Sequence, residues 1–308
     1  MKRLPIISAM IMTAFALQAQ RQDVRSFLKI YDMSTGESTL VKEFNYHVEA
    51  PNWTIDGKEL VYNSGGKIYR IPVEGGESIL VPTGVAQNCN NDHVLSSDGR
   101  WIAISNNDRG LGSRIYIVPF PEGGEARLVT EHGPSYLHGW SPDMTTLAYV
   151  GGRQGNRHLN IYVCNAADGS NERRLTFTEG LDDGPEYSPD GKTIWYNSVR
   201  SGLMQIWKMD ADGGNQTQMT FDPTRNLWFP HISPDGKHIV LIAYKVGDVA
   251  PGDHPANKNV EIMYMPAEGG SLRTLISLFG GQGTFNVNSW APDSKRFAYV
   301  SYELIPQQ

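Results

Sequence analysis

Cysteine is nearly absent from this chain, with only Cys89 and Cys164 among 308 residues. Two thiols cannot build a disulfide framework for a domain of this size, so its stability has to come from a packed core. Both are read as free, and Cys164 as a buried strand residue. Basic residues are also scarce, 27 Lys and Arg against 33 Asp and Glu. Binding nucleic acid by neutralising phosphates needs a basic face, which makes this acidic chain a poor candidate and leaves nucleic acid out of its expected partners. Charged residues of all kinds are 19% and hydrophobic ones 40%, too little charge and too much apolar material for disorder. Missing as well is any apolar run of the ~20 residues needed to cross a bilayer. The candidate, Leu4 to Leu17, has 14 residues; it follows Lys2 and Arg3 and leads to Ala19 and Gln20. That arrangement is a signal peptide over 1–19, with no membrane insertion, and no Cys follows the cut to mark a lipoprotein. The expectation is an exported protein, periplasmic or secreted, with one mature domain over 20–308.

What the chain does have is repetition. A turn close to Ser-Pro-Asp-Gly-Lys occurs six times: TIDGK at 54–58, SSDGR at 96–100, SPDMT at 141–145, SPDGK at 188–192 and 233–237, and APDSK at 291–295. Its aspartates (Asp56, Asp98, Asp143, Asp190, Asp235, Asp293) lie 42, 45, 47, 45 and 58 residues apart. A period of about 45 is that of a four-stranded propeller blade. Each unit alternates with a period of two, as in Thr193–Asn197 and Arg296–Val300, and carries an Ile-Tyr or Ile-Trp pair such as Ile161-Tyr162 or Ile206-Trp207. No stretch has a convincing helical period. After Asp293 there is room for one strand only, and the missing outer strands stand at the start: Leu28–Tyr31, a Thr35-Gly36 turn, then Ser38–Glu43. The fold class is therefore all-β: a six-bladed β-propeller of four-stranded antiparallel blades, its last blade closed by the N-terminal strands so that no sheet edge is left open.

These repeats resemble the WD-like β-propeller repeats of TolB, the periplasmic protein of the Tol system, and similar units in the propeller domain of dipeptidyl peptidase IV. The likeness covers residues 27–302. It implies a propeller and no particular activity, since this fold hosts many. The N-terminal α/β domain of TolB has no counterpart, so the Tol role is not carried over. Nor is a peptidase activity, because no GxSxG elbow follows.

In such a blade the first strand lines the channel, and residues four to seven before each repeat Asp should gather at one mouth. Four candidates fall there from successive blades: His93, His138, Glu186 and His231. Three imidazoles and a carboxylate make a ligand set for a divalent metal, Mn, Ca or Zn. They equally make a metal-free general-base cluster, or the lining of a hydrated channel. The loops between second and third strands carry Lys67, Arg109, Arg153 and Arg200. As a ring of cations they suit an anionic ligand; as ordinary loop cations they mean nothing more. The long fifth interval comes from a loop over 245–259, which brings His254 as a polar contact. Trp228 and Phe229 offer a stacking platform, and Asn286 and Asn288 line the last blade.

Three functions follow. The first is a binding propeller holding a small-molecule or oligosaccharide ligand, an anionic saccharide foremost. The second is a metal-dependent lyase or hydrolase acting on uronic-acid sugars. It draws on an analogy with oligogalacturonate lyase, a metal-dependent propeller with channel histidines; that enzyme has seven blades, and its Gln and two-His motif is not reproduced around His231. The third is an interaction scaffold for proteins of the cell envelope.

Overall fold

The computed structural model describes residues 24–153 and 158–306. The leader assigned to 1–19 lies outside the described residues. Two strands come first, β1 (Val24–Asp32) and β2 (Glu37–Phe44). Five four-stranded antiparallel sheets follow in chain order. Blade one holds β3 (Glu49–Trp53), β4 (Glu59–Ser64), β5 (Lys67–Pro72) and β6 (Ile79–Val81); blade two, β7 (Cys89–Leu95), β8 (Trp101–Asp108), β9 (Gly112–Pro119) and β10 (Arg127–Leu128). Blade three is β11 (Ser135–Trp140), β12 (Thr146–Gly151), β13 (Asn160–Asn165) and β14 (Arg173–Arg174). Blade four is β15 (Asp182–Tyr187), β16 (Thr193–Ser198), β17 (Gln205–Asp210) and β18 (Thr217–Gln218). Blade five is longest, with β19 (Arg225–Ile232), β20 (His238–Lys245), β21 (Ala256–Pro266) and β22 (Arg273–Gly281). The last strand, β23 (Arg296–Leu304), pairs with β1 in an unbroken register from Val24 opposite Leu304 to Asp32 opposite Arg296, and β2 covers the outside. The innermost position of this sixth blade is taken by residues 284–290. They are held by the Trp290–Phe297 bridge and by amides of Ala298 and Val300 donating to the carbonyls of Ser289 and Thr284. This is the expected six-bladed propeller, closed by its own N-terminal strands. No helix occurs among the described residues, so none is long and apolar enough to cross a membrane.

Turn chemistry explains the repeat. In five blades a Ser or Thr two residues before the Asp donates its hydroxyl to that carboxylate: Thr54 to Asp56, Ser96 to Asp98, Ser141 to Asp143, Ser188 to Asp190 and Ser233 to Asp235, at 2.5–2.7 Å. The same carboxylate accepts the amide two residues on, as from Lys192 at 3.1 Å. The following residue is left-handed. Glycine takes that shape without penalty, and where it is replaced Met144 (φ 62°) and Ser294 (φ 59°) are held in it anyway.

The core lies between blades. Buried side chains fall into six clusters, one for each pair of neighbouring sheets. Between blades four and five, for example, Trp195 and Ile206 meet Leu227, Leu241 and Met263. Leu28 of β1 is completely buried in the cluster that joins the closing blade to Trp53 and Leu60 of blade one. Cys89 and Cys164 are free and buried in two of these layers. Burial pushes both thiols up to about 12.

Candidate functional site

The inner strands do line a shaft, but each carries a β-bulge that resets which side chain faces inward. Between the pairs Asp183–Asn197 and Glu186–Trp195, the inner strand advances three residues while its partner advances two; β3 and β19 do the same. In β7 the step is larger, an advance of four residues from Cys89 to His93 opposite an advance of two between Asn106 and Ile104. At the bulge of blades one, four and five the residue six before the repeat Asp turns left-handed: Ala50 (φ 52°), Gly184 (φ 61°) and Phe229 (φ 54°). Gly184 must stay small, because a Cβ there would sit 2.8 Å from Asn197 Oδ1 and 3.0 Å from the Phe229 ring. Equal spacing from the turn Asp therefore does not mean equal depth or equal facing.

The four residues read as one metal set are divided. His93 is fully buried and turned away toward blade one, near the carbonyls of Val61 and Ala50, with no well-formed hydrogen bond to either ring nitrogen. Burial pushes it down to about 4, so it is a neutral packing residue. His231 Nδ1 lies 2.8 Å from Glu186 Oε2. Glu186 Oε1 accepts the Ile232 amide at 2.8 Å and Asn288 Nδ2 at 2.6 Å. These three form a closed knot across blades four, five and six. Glu186 and Asn288 line an opening of about 350 Å³ on the side of the Pro-Asp-Gly turns, walled by Trp53, Trp140, Tyr187 and Trp290. They are thus away from the mouth where His254 stands. Among the described residues no group of three or more His, Cys, Asp or Glu is arranged to hold a metal ion. The proposed metal donors do not fit one.

His138 alone reaches the chamber expected at the other mouth, a cavity of about 410 Å³. Its companions there are two carboxylates that the sequence reading passed over, Asp92 and Asp183. His138 Nε2 is 3.1 Å from Asp183 Oδ1 and 3.9 Å from Asp92 Oδ1, and its Nδ1 is 3.2 Å from the Asn286 carbonyl. Both ring nitrogens face acceptors, so the ring is held as a cation. Burial opposes that charge, but Asp92 and Asp183 outweigh it and raise His138 to about 9. Burial, opposed by His138 and reinforced by Asp183 and Glu49, pushes the Asp92 carboxyl up to about 7. For Asp183 the balance reverses: burial works against ionisation, yet the His138 bond and charge keep it below the ordinary carboxylate range. Amides supply much of the remaining wall, including Asn91, Gln282 and Asn286, with rings from Tyr136, Phe229 and His254.

The other candidates sort plainly. Trp228 is fully buried, and His254 stacks on its back at a centroid distance of 4.2 Å. The bulge turns Phe229 to the chamber instead, parallel to His138 at 5.6 Å. The loop bearing His254 is shorter than expected, since β21 already starts at Ala256. Two of the four ring cations are not free. Arg153 is bound to Glu172 at 2.6 Å and lies over Tyr149 and Tyr162. Arg200 contacts Asp182 at 3.2 Å and lies over Trp207. Arg109 is exposed in the β8–β9 turn and does not line the chamber.

Six WD-like blades around a polar shaft, closed by an N-terminal strand, define the class. The family description "TolB beta propeller domain" matches residues 137–275. An uncharacterized protein of Agrobacterium fabrum is 44% identical over 280 residues, 91% of this chain and 93% of that relative. A solved TolB-type structure from Agrobacterium tumefaciens is similar with a TM-score of 0.86 and 43% identity, covering 92% of this chain and 99% of that one. Oligogalacturonate lyase from Vibrio parahaemolyticus shares the fold at a TM-score of 0.53 and 15% identity, over 83% of this chain and 74% of that one. The chain belongs to the TolB-like β-propeller family.

Proposed function

We propose that this protein is a binding propeller that holds a saccharide in the chamber beside His138. One observation carries the reading: amides, carboxylates and aromatic rings converge on a single cavity large enough for one or two sugar rings. Paired acceptors and donors suit vicinal hydroxyls, and Phe229, Tyr136 and His254 offer flat faces to sugar C–H groups. The anionic ligand first expected loses its support, because Arg153 and Arg200 are neutralised by Glu172 and Asp182 and the described lining residues include no Lys or Arg. The leader-like residues 1–19 support export to the periplasm or beyond, which the mass of the mature chain checks. Thermal-shift titration with neutral, acidic and amino oligosaccharides tests the binding. A ligand at a hundred times its Kd adds about 2.7 kcal/mol to stability, an easily measured rise in Tm. If nothing in the panel shifts Tm at millimolar concentration, the reading fails.

A second reading, catalysis, is favoured by one observation. Asp92 and Asp183 share the chamber with opposite proton affinities, which is what general acid and base chemistry on a glycosidic bond requires. It predicts that Asp92→Asn abolishes product formation while binding survives. Among the described residues no donor set for a metal-dependent route is assembled.

A further inference from the structure

We infer that the group this chamber selects is a protonated primary amine, so that the saccharide is an amino sugar whose ammonium sits between Asp92 and Asp183. The inference rests on the saccharide reading above and narrows it.

The count of charges comes first. Asp92 and Asp183 both line the cavity, and Glu49 stands behind them, its Oε1 3.5 Å from Asn91 Nδ2. Glu49 has His47 Nδ1 beside it at 3.8 Å, and against the two lining carboxylates stands one imidazolium, His138, with its two ring nitrogens directed at Asp183 and the Asn286 carbonyl. The second ring on the wall, His254, is held below its ordinary value by burial and is neutral at pH 7. The cavity is short of one positive charge.

The unmatched atoms point the same way. Asp92 is 5% exposed, and beyond the Asn90 side chain its carboxylate has no described hydrogen-bond donor, the nearest cation being His138 at 3.9 Å. Asp183 Oδ1 accepts both the Gly184 amide at 2.7 Å and His138, which leaves Oδ2 without a described partner. Buried carboxylates are costly unless a cation or donors meet them. An ammonium brings three donors and the missing charge together. Asn286 is an independent pointer to a ligand: it is 1% exposed on the cavity wall, its Oδ1 accepts the Gly283 amide, and its Nδ2 has no described partner. That amide nitrogen suits an adjacent sugar hydroxyl. The Phe229 and Tyr136 rings add faces attractive to a cation. Acidic sugars meet the reverse: two carboxylates and no free guanidinium.

The test is calorimetric titration at pH 7 with four oligosaccharides of equal length (glucosamine oligomers, N-acetylglucosamine oligomers, cello-oligosaccharides and oligogalacturonate) and with glucosamine and n-butylamine as small amines. Glucosamine oligomers should bind at least tenfold tighter than their acetylated forms, and oligogalacturonate weakest. Asp92→Asn and Asp183→Asn should each erase that preference, bringing the amine-to-acetyl affinity ratio to within a few fold of one. If either variant fails to fold, the amine-to-acetyl ratio on the unaltered protein still decides. Equal affinity for free-amine and acetylated sugars overturns the ammonium and leaves the saccharide reading standing. Binding of n-butylamine as tightly as glucosamine overturns the sugar, and no binding by any probe overturns both.

Discussion

The His138 cluster makes stability depend on pH in a way that can be measured without knowing any ligand. In the fold His138 titrates at about 9 rather than its ordinary 6.5. A group whose value rises on folding stabilises the protein fully below its unfolded value and loses that contribution as pH rises through the folded one. A difference of roughly 2.5 units is about 3 kcal/mol. It should be present at pH 6.5 and gone by pH 9.5. Asp92, raised to about 7 from 3.8, acts in the same sense, but most of its contribution is lost by pH 7. His93, depressed to about 4, acts in the opposite sense and only below pH 6.5. The window from pH 7 to 9.5 therefore isolates His138 among the three. Guanidinium denaturation across that window reads the effect, comparing the wild type with a His138→Gln, Asp92→Asn, Asp183→Asn variant, which also removes the carboxyls that loss of His138 alone would free to titrate there, so that titrations outside the cluster are common to both. The wild type should lose about 2.5 kcal/mol more than the variant. Parallel curves would refute the argument, because they would mean that His138 is uncharged in the fold.

Two further outcomes follow from the architecture. Leu28→Ala removes a fully buried side chain from the strand that closes the ring, and should cost about 2–5 kcal/mol by denaturant unfolding; a cost under 1 kcal/mol would show that β1 is peripheral. Neither Cys89 nor Cys164 should react with a thiol-specific disulfide reagent at pH 8 until the protein is denatured, and rapid labelling of the native state would contradict their burial.

The blades were legible because the turn chemistry is local. A hydroxyl, an aspartate and a left-handed residue within five positions close the turn wherever they stand, and period-two alternation between turns leaves little choice of element. Even Met144 and Ser294, which look like breaks in the pattern, occupy the glycine conformation. The channel was legible only as strands. The tetrapeptides Asn91–Val94 and Asp183–Glu186 contain the chamber's carboxylates, but chemistry drew the eye to His93 and Glu186 one and three residues on. Inward or outward facing depends on bulges, whose place is set by pairing with a neighbouring strand. The same shift exchanged Trp228 for Phe229. The arginines failed for a different reason. Glu172 and Asp182, which neutralise them, are about twenty residues away and meet them only once a blade has folded.

Glu186 and Asn288 of the knot line the turn-side opening, and His138 is on the wall of both openings. The two mouths of the bore thus share one charged side chain, and a ligand lodged at either acts on the same imidazolium.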